Sequence, residues 1–208
     1  MISLIIFDFW KTLAYRDVPE SSTKQMLRLT NSSIPHKEFV KIFESALQTK
    51  KWDSKFDAYA HLCEKMGLPV TQENVNLLIS IRDTAEECVK PFDHTLSMLQ
   101  QLKEAGYKIG IISNSSIFAY EKIKEKTTIL DYIDYPLFSF EAGTIKPDLA
   151  IYRKMLEITG YQPEETIMIG DNQGDDVLPP RELGMHSCLF ENYEQLKKDL
   201  KPLGIILQ

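Results

Sequence analysis

Polar residues that could perform chemistry on an anionic substrate occur at four places along this chain. Asp8 directly follows an apolar run near the N-terminus, the pair Ser113 and Asn114 follows a second run, and Asp171 follows a third. Lys146 lies in the segment GTIKPD, just before a predicted helix. Each residue taken singly is typical of a strand end or a turn. Their occurrence together, in this order, indicates one site that combines carboxylates, a cation and hydrogen-bond donors.

These residue types suit the transfer of a phosphoryl group. A carboxylate can attack phosphorus and form an acyl phosphate, which divides one difficult displacement into two easier ones. Several carboxylates would repel a phosphate dianion unless a hard cation with oxygen ligands, such as Mg²⁺, offset their charge. A lysine and neighbouring hydroxyl or amide groups would stabilise the charge on the transferred oxygens.

The elements that must position these residues are parallel strands. Four short apolar runs lack alternation, as expected for strands buried on both faces: Ile2–Phe7, Tyr107–Ile112, Thr166–Gly170 and His186–Phe190. Two helical patterns lie between the later runs. The first has Asp93 as its expected cap and ends at Gly106. The second has Pro147 near its start and ends at Gly160. This alternation predicts an open parallel α/β sheet, whose strands place ligands outside their carboxyl ends.

The segment 16–89 has a different pattern, with helical periodicity and no convincing strand. Apolar residues recur at helical spacing in HKEFVKIFESAL, KFDAYAHLCEKMG and NVNLLISI. A helical bundle inserted at the carboxyl end of the first strand is well placed to act as a lid. We therefore predict an α/β core at residues 1–15 and 90–208 and a helical cap at residues 16–89.

The composition limits the classes of partner. With 208 residues, 43% apolar residues and a net charge of −6, the chain resembles an ordinary globular protein and not a nucleic-acid binder, which needs a basic face. Three cysteines without a paired spacing argue against a disulfide framework or a zinc site. No signal-peptide pattern or membrane-length apolar run occurs, so we expect a cytoplasmic protein without a membrane partner. The oligomeric state stays open.

Four motifs in order resemble those of the haloacid dehalogenase (HAD) superfamily, whose members are mostly phosphatases: FDFWKTL, IISNSS, IKP and IGDNQGDD. The first resembles the family's Asp-x-Asp-x-Thr, and the last resembles Gly-Asp-x-x-x-x-Asp, with Asp171 and Asp176 in register. The helical insert resembles the family's first type of cap, and the resemblance covers nearly the whole chain. It implies a Rossmann-like core with a helical cap, and a Mg²⁺-dependent phosphatase acting on a small phosphorylated compound through an aspartyl-phosphate.

The resemblance also implies roles for individual residues. Asp8 would be the nucleophile. It would also ligate Mg²⁺ together with Asp171 and the backbone carbonyl of Trp10. Asp176 would support the ion through water or hold Lys146.

Further residues would bind the substrate, again by resemblance. Ser113 and Lys146 would bind the phosphoryl oxygens, and Asn114 would contribute a hydrogen bond. Thr12, grouped with these substrate-binding residues, would fix the turn after the first strand.

Trp10 departs from the family pattern. Typical phosphatases of the family carry a second aspartate there, which acts as general acid for the leaving group and then as base for water. Indole can do neither, whereas a backbone carbonyl is available from any residue, so the departure affects the acid–base step and not the metal site. Without a general acid, aryl or acyl phosphates should react far better than alkyl phosphates. Lys11 also replaces a common glycine and adds a cation near the entrance.

Three alternatives stay open. A non-catalytic HAD-like protein could keep phosphate or metal binding after losing turnover with the second aspartate. Members that cleave carbon–halogen bonds, the 2-haloacid dehalogenases, have an aromatic residue at the position of Trp10, but they work without Mg²⁺ and lack the motif that Asp171 and Asp176 form here. Phosphonatases also lack the second aspartate, but they need a reactive cap lysine, and no lysine of the predicted cap stands out.

Overall fold

The computed structural model describes all residues, 1–208. The strands are β1 Leu4–Phe7, β2 Ala14–Arg16, β3 Val89–Pro91, β4 Lys108–Ser113, β5 Tyr135–Phe138, β6 Thr166–Gly170 and β7 His186–Leu189. The α-helices are α1 Ser22–Leu29, α2 His36–Leu47, α3 Lys55–Met66, α4 Gln72–Glu87, α5 Thr95–Glu104, α6 Ile117–Lys126, α7 Ser139–Ala142, α8 Leu149–Thr159, α9 Leu178–Glu182 and α10 Tyr193–Leu200. A π-helical turn covers Gln173–Val177. No helix combines the length and the apolar character that a bilayer crossing requires.

Five parallel strands form the central sheet in the order β5-β4-β1-β6-β7. Phe7, the last residue of β1, is opposite Ile111 of β4 and Ile169 of β6. From this level β4 continues for two more residues and β6 for one, so the three middle strands end at the same edge of the sheet. This register brings Asp8 and Asp171, which follow two of these strands, to the same edge of the sheet.

Both faces of this sheet are covered. Leu4 and Ile6 of β1 belong to an apolar cluster with residues of α8, whereas Ile5 and Phe7 belong to the cluster that includes residues of α5. All four side chains are fully buried. Burial on both faces explains why the strand sequence shows no alternation, and it confirms the predicted Rossmann-like α/β core.

The helices α1–α4 form the helical cap, which has an apolar core of its own. Its buried members include Met26, Phe39, Leu47, Leu62 and Leu78. The chain enters this bundle through β2 and leaves it through β3, and the two strands pair antiparallel, with Ala14 opposite Pro91. We propose that this two-stranded ribbon is the junction between the core at 1–15 and 90–208 and the cap at 16–89.

Two local features differ from the sequence-based expectations. The edge strand β5, with the sequence YPLF, was not anticipated, because it is short and contains Pro136, which only an edge strand tolerates. Helix α5 begins after His94 and not after Asp93, and the His94 side chain makes no capping hydrogen bond. Helix α8 follows Asp148, whose carboxylate accepts a hydrogen bond from the Ala150 N–H.

Candidate active site

A buried lysine connects two carboxylates at the carboxyl edge of the sheet. The Lys146 ammonium lies 2.7 Å from an Asp8 oxygen and 2.5 Å from an Asp176 oxygen. These three residues are 4%, 6% and 1% exposed, respectively. Burial acts to lower the pKa of Lys146, but the negative charges of Asp8 and Asp176 outweigh it and raise the pKa above its ordinary value. Lys146 therefore carries a full positive charge at neutral pH.

The same edge carries an excess of negative charge. Oxygen atoms of Asp8, Asp171 and Asp176 all lie within 4.8 Å of one another. Burial raises the pKa of Asp8 to about 7; Lys146 opposes this shift, and the carboxylates of Asp176 and Asp171 add to it. Even with the exposed Lys11 ammonium, which lies 3.6 Å from Asp171, two cations do not balance the three carboxylates, so a further cation would be stabilised here.

The donor set fits a hard divalent cation. It consists of carboxylate oxygens, which Mg²⁺ prefers. In addition, none of the hydrogen bonds within the chain is accepted by the Trp10 carbonyl oxygen. That oxygen is therefore available as a ligand beside Asp8.

A tight turn positions Asp176. A Cβ atom added at Gly170 would lie 2.3 Å from the Asp176 carboxyl carbon, so only glycine fits at the end of β6. The Asn172 N–H donates to the second Asp176 oxygen at 3.1 Å, and the Asp176 N–H donates to the Asn172 carbonyl at 2.7 Å. The spacing of the fourth motif therefore has a steric cause in the close approach of Asp176 to the strand.

The turn after β1 is held by backbone hydrogen bonds. The N–H groups of Leu13 and Ala14 both donate to the Phe9 carbonyl at 3.0 Å. The Thr12 hydroxyl is buried and has no hydrogen-bond partner within the chain, so it does not itself close the turn. Lys11 has a φ of +63°, which explains why a glycine suits this position, and its exposed ammonium lies 3.6 Å from Asp171.

The indole of Trp10 is fixed on several sides. Its N–H donates to the Ser115 hydroxyl at 2.9 Å, and that oxygen lies 3.0 Å from the Ser113 hydroxyl. The Arg16 guanidinium lies 3.3 Å from the centroid of the indole ring, and Phe9 packs edge-on. The single indole donor is therefore already engaged, and Trp10 connects the turn after β1 to the loop after β4.

Asn114 holds the loop that carries the buried lysine. Its side-chain oxygen accepts from the Lys146 N–H at 2.8 Å, and its amide group donates to the Lys146 carbonyl at 3.1 Å. These two bonds fix the Lys146 backbone relative to the end of β4. The structure therefore brings together Asp8, Lys146, Asp171 and Asp176 directly, and Asn114 through the Lys146 backbone.

A buried ion cluster where β2 enters the cap was not found from the sequence. Glu86 of α4 accepts from the guanidinium of Arg16 at 3.0 and 3.2 Å and lies 2.6 Å from Arg82. Arg82 also donates to the Ser22 hydroxyl of α1 at 3.0 Å. Burial acts to raise the pKa of Glu86, but Arg82 and Arg16 outweigh it and hold the pKa below its ordinary value. The cluster joins β2, which carries the arginine stacked on Trp10, to two cap helices.

A cap carboxyl was also missed. Glu44 of α2 is half-buried, and burial raises its pKa to about 7; the negative charge of Asp175 adds to this shift, and Lys146 and Asn114 of the core oppose it. The sequence pattern of α2 singled out its apolar residues, such as Phe43 and Leu47, and gave no sign that the residue between them senses charged groups of the core. A charged residue beside the apolar stripe of a helix was the only available signal.

The chain matches the model of the family described as haloacid dehalogenase-like hydrolase over residues 5–190. It belongs to this family, and the resemblance drawn from the four motifs is confirmed. Among curated proteins it is similar to the glyceraldehyde 3-phosphate phosphatase of Methanothermobacter thermautotrophicus, with 31% identity over 55% of this chain and 51% of the relative. The corresponding protein of Methanocaldococcus jannaschii is 32% identical over 59% of this chain and 54% of the relative. These alignments thus span about half the length of the relatives.

Solved structures show the same fold. A HAD family enzyme from Bacteroides thetaiotaomicron, in complex with magnesium and inorganic phosphate, superposes with a TM-score of 0.70 at 20% identity over 94% of this chain and 99% of that chain. A HAD phosphatase from Thermococcus onnurineus superposes with a TM-score of 0.63 at 20% identity over 96% of this chain and 98% of that chain. At this identity the likeness establishes the fold alone.

Proposed function

We propose that this protein is a Mg²⁺-dependent phosphatase that hydrolyses a small phosphorylated compound through an aspartyl-phosphate on Asp8. The observation that carries the proposal is the buried Asp8–Lys146–Asp176 arrangement at the carboxyl ends of parallel strands. A nucleophile, a fixed cation and a set of hard oxygen ligands there match what phosphoryl transfer requires. The named activities of the curated relatives, which include glyceraldehyde 3-phosphate phosphatase and pyrophosphatase, support a small phosphorylated substrate.

Four residues of the site have separate roles in the proposed reaction. An oxygen of Asp8 attacks phosphorus, the bond from phosphorus to the leaving group breaks, and an acyl phosphate forms on Asp8. Water then attacks the phosphorus of this acyl phosphate and regenerates the Asp8 carboxylate. Lys146 holds Asp8 in place and, with the Ser113 hydroxyl, stabilises the charge on the phosphoryl oxygens. Asn114 positions Lys146 by fixing its backbone.

The metal site would be formed by Asp8, Asp171 and the Trp10 carbonyl, with Asp176 in support. A Mg²⁺ ion bound there offsets the repulsion between the phosphate dianion and the carboxylates. Lys11, whose ammonium lies 3.6 Å from Asp171, places a second positive charge at the exposed side of the site. Thr12 offers a buried hydroxyl without a partner, which suits a role in holding the bound ligand.

Mg²⁺ should stabilise the folded protein. At 100 times the dissociation constant, binding contributes about 2.7 kcal/mol, which raises the Tm of a chain of this size by roughly 5–10 °C. Asp171→Asn should lose most of this shift, whereas Asp17→Asn, at an exposed aspartate outside the site, should keep it. Thermal melts with EDTA and with MgCl₂ give the comparison. Equal shifts in Asp171→Asn and the wild type would exclude the proposed metal site.

A substrate panel tests the function. The protein should be assayed with MgCl₂ and with excess EDTA against alkyl and aryl phosphates, acyl phosphates, pyrophosphate, phosphonates and 2-haloacids. We expect phosphate release that depends on MgCl₂. Release of halide in EDTA would favour the dehalogenase alternative. Inactivity on the whole panel, combined with tight binding of inorganic phosphate, would favour the non-catalytic alternative.

A further inference from the structure

The side chain of Trp10 cannot transfer a proton, but its hydrogen bonds give it a different task at the site. We propose that Trp10 is a positioning residue, whose indole N–H orients the Ser113 hydroxyl toward the phosphoryl oxygens through the Ser115 hydroxyl. This inference rests on the proposed phosphatase function, in which Ser113 binds those oxygens. It adds a role for a side chain that the proposed reaction otherwise leaves unused.

Two hydrogen bonds connect the indole to Ser113. The Trp10 N–H donates to the Ser115 hydroxyl oxygen at 2.9 Å, and that oxygen lies 3.0 Å from the Ser113 hydroxyl oxygen. Both serines are fully buried, and the Ser115 hydroxyl has no other hydrogen-bond partner within the chain. The three groups therefore form a chain of hydrogen bonds that is shielded from bulk water.

The indole sets the direction of this chain. An indole N–H can only donate, so the Ser115 oxygen must accept from Trp10. A hydroxyl that accepts one hydrogen bond is polarised to donate another, which favours donation from Ser115 to Ser113. The Ser113 hydroxyl then keeps its own hydrogen for an acceptor beyond it. An anionic phosphoryl oxygen requires such a donor, because the opposite direction would present lone pairs to it.

The indole is held in place from the side of the cap. The Arg16 guanidinium lies 3.3 Å from the centroid of the indole ring and donates to Glu86 of α4 at 3.0 and 3.2 Å. Phe9 packs edge-on against the ring, with 4.9 Å between the centroids. A ring fixed in this way keeps its N–H directed at one acceptor. The Ser115 hydroxyl is therefore oriented before a substrate arrives.

Ser113 lies at the edge of the sheet that carries the proposed nucleophile. It ends β4, which pairs in parallel with β1, the strand that Asp8 follows. The next residue, Asn114, holds the Lys146 backbone at 2.8 and 3.1 Å. The direction of the Ser113 hydroxyl therefore matters at the same edge where the phosphoryl group is proposed to bind.

The backbone of Ser115 is fixed independently of Trp10. The Ser115 N–H donates to the Ser139 hydroxyl at 3.0 Å, and that hydroxyl donates to the Ser115 carbonyl at 3.2 Å. Ser139 is also fully buried. Loss of the indole N–H should therefore change the direction of the hydroxyls and leave the loop after β4 in place.

Trp10→Phe keeps an aromatic ring beside Arg16 and removes only the donor. We expect kcat/KM to fall by about 3–10-fold, which is the worth of one neutral hydrogen bond, and the Kd of inorganic phosphate in MgCl₂ to rise by a similar factor. Because the phosphoryl group is common to all substrates, the loss should be equal for alkyl and aryl phosphates. Steady-state assays and titration calorimetry measure these effects.

A double-mutant cycle separates this role from a structural one. Ser113→Ala removes the hydroxyl that meets the charged oxygens and should lower kcat/KM by about 10–100-fold. In the Ser113→Ala background, Trp10→Phe should change kcat/KM and the phosphate Kd by less than about twofold, because the hydroxyl that it orients is gone. Ser115→Ala should suppress the effect of Trp10→Phe in the same way, because no hydroxyl then connects the indole to Ser113.

The matched control is the same substitution at the other tryptophan of the chain. The N–H of Trp52 is buried and has no hydrogen-bond partner, so Trp52→Phe removes a donor without breaking a bond. It should leave kcat/KM and the phosphate Kd unchanged. Melting curves check that each variant is folded.

Three results would overturn the inference while leaving the phosphatase function intact. The first is an active wild type whose kcat/KM and phosphate Kd are unchanged in Trp10→Phe. The second is a loss from Trp10→Phe that persists in full in the Ser113→Ala background. The third is a loss confined to alkyl phosphates, which would place the action of Trp10 at the leaving group.

The phosphate Kd also separates this inference from the proposed function. A wild type that is inactive on the whole panel but binds inorganic phosphate would overturn the phosphatase function, and the same cycle measured by calorimetry would still decide the role of Trp10. A wild type that neither turns over a substrate nor binds phosphate would overturn both.

Discussion

Asp8→Asn is expected to abolish phosphate release, with kcat falling by about 10³-fold or more, because a neutral amide cannot act as the nucleophile. The substitution should not unfold the protein. Burial raises the pKa of Asp8 to about 7, so in metal-free buffer above that pH its ionised form costs stability, and an uncharged side chain removes this cost. The Tm of the variant in EDTA should equal or exceed that of the wild type. Steady-state assays and thermal melts measure both effects.

The same change at an exposed aspartate provides the control. Asp17 pairs with Lys90 on the surface, and Asp17→Asn should keep wild-type turnover. Turnover of Asp8→Asn close to that of the wild type would show that the released phosphate came from another mechanism or from a contaminating enzyme. A folded but inactive Asp8→Asn that also lost phosphate binding would argue for a binding role of Asp8 instead.

Glu86→Gln is expected to cause the largest loss of stability. Glu86 is 2% exposed and is the shared partner of Arg16 and Arg82, so an amide there leaves two mostly buried guanidinium groups without their counter-charge. Removing one partner of a buried ion pair typically costs about 3–5 kcal/mol. For a chain of this size that lowers the Tm by roughly 10 °C. Denaturant and thermal unfolding give the value.

The next residue along α4 serves as its control. Glu87 is exposed and pairs with Lys122 and Lys126 of α6, contacts that water and salt weaken. Glu87→Gln should therefore leave the Tm nearly unchanged. If Glu86→Gln were as stable as Glu87→Gln, other groups would have to offset the positive charges of Arg16 and Arg82. The cluster would then not be what holds β2 to the cap.

The sequence by itself determined the sheet and most of the proposed catalytic edge. Parallel strands buried on both faces produce apolar runs that are visible locally, and a polar residue after each run must lie at the carboxyl edge. This is why Asp8, Asp171 and Lys146 could be grouped before the structure was known. The spacing from Gly170 to Asp176 is likewise local, because it reflects one turn in which a Cβ would collide with a carboxylate.

Tertiary structure decided the features that depend on long-range contacts. The edge strand β5 is too short to carry a pattern, and it is recognisable only from its pairing with β4. The partners Arg16 and Glu86 lie 70 residues apart, and no local rule connects them. Helical periodicity predicts which side of α2 is apolar, but it does not predict which polar residue faces the core. The placement of the whole cap on the sheet determines that.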